Sequence, residues 1–176
     1  MTKQLEEKTK YGLSFPKDYN LSNALMGAYL TLKETKDKNN KPILEACSQI
    51  SIANSLMNMA TLGLSVQKKQ GYFISYGSQC QFQRSYFGNI TIARRYGMKD
   101  IHAEIIYQGD KFKYHIEDGN KVLDSHEQDF MNIDNDKILG AYAVVQMEDG
   151  SKHLEVMNMK QIKQSWSQGY GYKENG

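Results

Sequence analysis

No aspartate or glutamate occurs between Glu45 and Asp100, in a chain whose formal net charge is only +2. An acid-free run of that length excludes an evenly mixed surface. The residues from Met1 to Lys99 carry 14 basic and 6 acidic side chains, and those from Asp100 to Gly176 carry 8 and 14. Blocks of one sign in a folded chain mark either a polyanion partner or the docking of unlike surfaces. Cysteine is almost as scarce. Cys47 and Cys80 stand alone, without paired metal-ligand spacing, and are expected to be reduced and partly buried. No apolar run approaches the length that spans a bilayer, and the opening MTKQLEEKTK lacks the apolar core of a signal peptide, so a cytoplasmic protein is expected. The Gly-x-x-x-x-Gly-Lys-Ser/Thr loop of nucleotide-driven motors is missing.

What is present has the size of one domain with one substantial core. Leu21, Ala24, Leu25, Ala28 and Leu32 recur at helical spacing after Asn20, a good cap, and predict a helix to about Lys33. Pro42 opens a second helix, expected to run from Ile43 to Leu62 and stop at Gly63. Its apolar residues, Ile50, Ile52, Ala53, Leu56, Met57, Met59, Ala60 and Leu62, cover roughly two thirds of the circumference at 100° per residue. A face so wide suits either a central helix or one that meets another subunit. The period then becomes two. Tyr72, Ile74 and Tyr76, a YGSQ turn, and Gln79, Gln81 and Gln83 predict a hairpin. A helix from Tyr86 to Tyr96 follows, capped by Ser85 and ended by Gly97. Strands are expected at IHAEIIY and KFKYHI around Gly109-Asp110, and at ILGAYAVVQM and KHLEVMN around Asp149-Gly150. MKQIKQSW starts a last helix. The class is α+β, with antiparallel hairpins and helices packed on one side: a single domain over 1–166, flexible over 1–19, and a disordered tail over 167–176.

Glycines 63, 71, 77, 88 and 97 are too widely spaced for a dinucleotide loop and read as helix stops and turns. His102, His115, His126 and His153 show no metal spacing and read as surface strand residues. Asp129, Asp134 and Asp136 offer oxygen ligands for a hard cation, but acidic loops usually do no more than stay solvated, and that reading is preferred. No catalytic and no metal residue is assigned. Lys68, Lys69, Arg84, Arg94, Arg95 and Lys99 supply partners for phosphates, while Tyr72, Phe73, Tyr76, Phe82, Tyr86 and Phe87 supply planar groups for bases or for the core. Only one or two of these rings are expected to touch DNA. Gln79, Gln81 and Gln83 make a neutral hydrogen-bonding row. The DNA-binding set is therefore Lys68, Lys69, Tyr76, Gln81, Gln83, Arg84, Tyr86, Arg94, Arg95 and Lys99.

The same stretch, GLSVQKKQGYFISYGSQCQFQRSYFG, resembles the signature of the RecT/Red-beta family of phage single-strand DNA annealing proteins. The resemblance lies in Gly63-Leu64, Lys68 to Gln70, the YFI strand and YG turn from Tyr72 to Gly77, and the Phe82 to Gly88 run ending in SYFG; weaker similarity starts at about Asn20. It departs at Val66, Gly71 and Ser75, where Pro, Cys and Pro are expected. The resemblance implies an ATP-independent protein of homologous recombination that binds single-stranded DNA and the annealed duplex and oligomerises as a ring or helical filament. It needs no cofactor, with Mg2+ modulating binding or assembly. It also implies a bacterial host cell, a phage or prophage origin, and a C-terminal region past Gly176 that meets a single-strand binding protein. Two alternatives stand beside it: a metal-dependent nuclease using Asp129, Asp134 and Asp136, and a subunit whose basic half docks on its neighbour's acidic half.

Overall fold

The computed structural model describes residues 15–17 and 19–168. The expected tail over 167–176 lies outside them apart from Ser167 and Gln168, and the expected flexible start lies outside them apart from 15–17 and 19. The architecture is α+β with antiparallel sheets. The chain gathers into two compact units, Met1–Arg95 and Tyr96–Gly176.

In the first unit, α1 (Leu21–Glu34) starts where the Asn20 side chain accepts the Asn23 N–H at 2.9 Å. It buries Ala24, Leu25, Ala28 and Leu32. The expected single helix from Ile43 to Leu62 is two, α2 (Ile43–Ala46) and α3 (Gln49–Thr61). Cys47 and Ser48 are extended between them, because Ser48 caps α3 through its side chain and donates its own N–H to Ser78 O at 2.8 Å. A cap that satisfies orphan N–H groups competes with helix continuation. The buried face of α3 is also narrower than its apolar residues suggest. Ile52, Leu56, Met59 and Ala60 are buried, whereas Ile50 is 75% exposed and Ser51 and Ser55 are buried in the sector between.

Those two serines have a purpose. The Cys80 N–H donates to Ser51 Oγ at 3.0 Å, and the Ser55 hydroxyl donates to Cys80 O at 2.8 Å. They satisfy backbone groups of β2 (Gln79–Arg84), which pairs antiparallel with β1 (Gly71–Tyr76) through the Gly77-Ser78 turn, where Gly77 has φ +60°. The hairpin lays Phe73, Cys80 and Phe82 on the helices, and both cysteines are free and buried. After Ser85 comes α4 (Tyr86–Arg95).

In the second unit, β3 (Met98–Tyr107) pairs with β6 (Ile138–Met147), and β6 with β7 (Lys152–Asn158) across Asp149-Gly150. The expected pairing around Gly109-Asp110 does not occur. β4 (Lys111–Glu117) pairs instead with β5 (Asn120–Glu127), a strand the sequence reading passed over. Asp118 and Gly119 join them with φ of +50° and +79°, the positive pair that a two-residue hairpin turn of type I′ requires. The register places Ile106, Tyr142, Val144, Leu154 and Val156 on one sheet face, packed with Phe112 and Leu123 of the second hairpin. A capping box between Asn158 and Gln161 starts α5 (Met159–Ser167).

One expected surface histidine is instead internal. The His126 side chain is 8% exposed, with Nε2 3.2 Å from Asp110 Oδ2 and Nδ1 3.2 Å from the Tyr142 hydroxyl. The fully buried Asp110 carboxylate also accepts the Tyr107 N–H at 2.9 Å and Asn132 Nδ2 at 3.1 Å. Burial by itself raises this carboxyl, but the hydrogen bonds from Tyr107, Asn132, His126 and Gln128 favour its ionised form and bring it down to about 2.

Candidate nucleic-acid interface

The interface begins where α3 ends. Gly63, at φ +62°, turns the chain, Leu64 to Val66 sink into the core, and Gln67 to Lys69 return to the surface. Gln70 fastens this loop from three directions. Its Oε1 accepts the Ser65 N–H at 2.8 Å, its Nε2 donates to Thr91 Oγ1 at 3.0 Å, and its carbonyl accepts the Ser85 N–H at 3.2 Å. The Ser85 hydroxyl donates to the Lys69 carbonyl and accepts the Gly88 N–H at 3.2 Å as the cap of α4. Gly88 is not a stop or a turn, as its spacing suggested, but a close approach. A Cβ there would lie 2.1 Å from Gln70 O. Gly71 is likewise inside β1, where a Cβ would meet the Phe82 ring at 2.3 Å. The Lys68-Lys69 loop and the first turn of α4 are therefore one packed structure.

Around it, Lys68, Lys69, Arg84 and Arg94 are exposed. The solvent face of the hairpin carries Tyr72, Tyr76, Gln79, Gln81 and Gln83, and Gln83 Nε2 donates to the Tyr76 hydroxyl at 2.6 Å. Tyr86 and Phe87 follow at the start of α4, 61% and 54% exposed, their rings edge to face with centroids 5.6 Å apart. Of the seven aromatics in the acid-free stretch, Phe73 and Phe82 are core and the other five, Tyr72, Tyr76, Tyr86, Phe87 and Tyr96, are open to solvent. Tyr72 and Phe87 are thus additions to the candidate set. Their neighbours at alternating and helical spacing carried that signal, but a ring reads as core by default.

Two members of the basic set stand apart. The Arg95 guanidinium donates through Nη1 to Leu62 O and through Nη2 to Gly63 O, both at 2.7 Å, so it closes the C-terminal end of α3. Beside it, burial pushes the Tyr19 phenol up to about 12 against the pull of Arg95, and its hydroxyl donates to Leu64 O at 3.0 Å. Lys99 belongs to the second unit, exposed on β3.

The acidic loop has a local occupation. Asp129 Oδ1 accepts the Met131 N–H at 2.9 Å and Asp134 Oδ1 accepts the Asp136 N–H at 3.0 Å, each capping a short 3-10 turn. The Asp136 N–H, and then Lys137, hold the Asp134 carboxyl below its ordinary value. Among the described residues no group of three or more His, Cys, Asp or Glu is placed to hold a metal ion.

The model of the RecT family matches residues 22–175, which takes in both units. The chain belongs to the RecT family. Among curated relatives, an uncharacterized protein YqaK of Bacillus subtilis is 29% identical over 128 residues, 71% of this chain and 43% of that protein. Protein RecT of Escherichia coli is 26% identical over 133 residues, 69% of this chain and 48% of its own length. This RecT-family chain therefore covers less than half the length of either relative. No helix among its described residues is long and apolar enough to cross a membrane.

Proposed function

We propose that this RecT-family chain binds single-stranded DNA along the surface built by the Lys68-Lys69 loop, the outer face of the hairpin and the start of α4, and promotes annealing to a complementary strand without ATP. The observation that carries the proposal is the fastening of Lys68 and Lys69, through Gln70 and Ser85, to the end of β2 at Arg84 and to a first turn of α4 bearing Tyr86 and Phe87, on a stretch without one carboxylate. Cations there remove the repulsion between successive phosphates, and contact through the backbone leaves base edges open to a second strand. Protomers arranged as a ring or filament hold many nucleotides in register. The units' unlike charges support head-to-tail contact, with 13 basic and 6 acidic residues in Met1–Arg95 and 9 and 14 in Tyr96–Gly176. No cofactor is needed in this scheme, Mg2+ acts on binding or assembly only, and a single-strand binding protein is a further partner.

The test is stopped-flow quenching between two complementary fluorescent oligonucleotides, without nucleotide and with or without Mg2+. The expected result is faster pairing at protein concentrations that saturate the strands. Equal rates with and without protein would sink the proposal.

A further inference from the structure

We propose that Tyr86 and Phe87 form a stacking step for one unpaired base, through which the surface senses whether a strand is single. The inference rests on the DNA-binding reading above and adds a base contact to a phosphate track. Two neighbouring rings, both more than half exposed, leave a large apolar area in water unless something planar covers them. What surrounds them selects a nucleobase over an apolar protein surface. Arg84 precedes them in the chain, Lys69 is tied to Ser85 immediately before them, and no acid lies in the stretch, so whatever docks on the rings must tolerate concentrated positive charge. A base with its attached phosphate does so, whereas burying these cations under an apolar partner carries a desolvation cost.

The rings are also held in place. Gly88, the next residue, lies against the Gln70 carbonyl, and the Ser85 hydroxyl bridges the Gly88 N–H and the Lys69 carbonyl. Neither ring can shift along α4 without carrying the loop. With planes 64° apart, the two cannot both stack on the same base face. In the proposed step one ring offers its face and the other braces the edge of the same base. Stacking occupies the face of a base and leaves its pairing edge free, so the step is compatible with annealing.

The experiment compares, by anisotropy, binding of the 176-residue chain to a labelled thymidine oligonucleotide and to an abasic oligonucleotide of equal length and charge. The base-bearing strand is expected to bind about tenfold tighter. In the double variant Tyr86→Leu with Phe87→Leu, which keeps apolar bulk but has no π face, that preference should vanish with the salt dependence unchanged. Phe87→Leu alone should reduce it. Lys69→Ala should weaken both strands alike and flatten the salt dependence. Equal parent affinity for the two strands overturns the stacking step. So does a preference that survives in the double variant, or a double variant, still folded by circular dichroism, that loses both strands equally. A parent that binds neither strand overturns the DNA-binding reading itself, and the stacking step with it.

Discussion

Arg95 and Arg94 are adjacent and both basic, yet they do different work. Arg94 is exposed on the last turn of α4, whereas both terminal nitrogens of Arg95 are engaged by the carbonyls that α3 leaves unsatisfied at Leu62 and Gly63. A charged donor on helix-end carbonyls contributes on the order of 1–2 kcal/mol. Arg95→Ala should therefore lower the midpoint of chemical denaturation while leaving the salt dependence of DNA binding unchanged, and Arg95→Lys should recover only part of the loss because a lysine cannot fork. Arg94→Ala should do the reverse, keeping stability and flattening the salt dependence. If Arg95→Ala flattens it instead, the guanidinium serves phosphate.

At the level of elements, the second unit is joined through one carboxylate. Asp110 sits after β3, takes hydrogen bonds from the Tyr107 N–H, from His126 on β5 and from Asn132 in the loop before β6, and His126 passes the contact to Tyr142 on β6. Its folded value of about 2 lies below the ordinary 3.8, so it stabilises the fold fully above the unfolded value, and that stability disappears as pH falls from about 4 to 2. Thermal melts over that window should show a steep loss in the parent. Asp110→Asn should be less stable at neutral pH and lose less on acidification; an unchanged profile would assign the acid sensitivity elsewhere. None of this was legible beforehand. α1, the first hairpin, α4, the β6–β7 hairpin and α5 could be read because local periodicity and caps define them. The partner of β3 could not, since it lies some thirty residues away and nothing local specifies it. β5 was missed because NKVLDSHE alternates weakly, although Asp118-Gly119 before it was a hairpin signal in plain view. The break at Cys47-Ser48 was hidden by an apolar period running through it. For the candidate site, the sequence could be read for which side chains are basic and which are planar, and all six basic residues are exposed. It could not be read for what Arg95 holds, because that depends on a helix end brought close by the fold.

For the molecule as a whole, the charge asymmetry becomes an asymmetry of units. With Arg95 engaged on α3 and Lys99 carried by the other unit, the first unit leaves Lys68, Lys69, Arg84 and Arg94 for phosphates. For single strands each neutralised phosphate contributes roughly −0.7 to the slope of log affinity against log salt, so the slope per protomer should be about −3. Titrations of oligonucleotides of unrelated sequence should fall on parallel lines of that slope, and Lys111→Ala or Lys137→Ala in the acidic unit should leave them in place. A slope near zero, or larger losses from those two lysines than from Lys68 or Lys69, would put the DNA on another surface.

The two buried thiols give the chain an internal clock. Cys47 and Cys80 are its only cysteines, both are covered, and burial pushes both thiols up, so the reactive thiolate is doubly withheld. Cys80 is covered by α3, whose Ser51 and Ser55 grip its backbone. A disulfide reagent in excess can label it only when the hairpin lifts away from that helix, so the labelling rate counts those excursions directly. The native Cys80 thiol thus reports the opening of the same hairpin whose outer face carries Tyr72, Tyr76 and the glutamine row, with no residue introduced to carry the label.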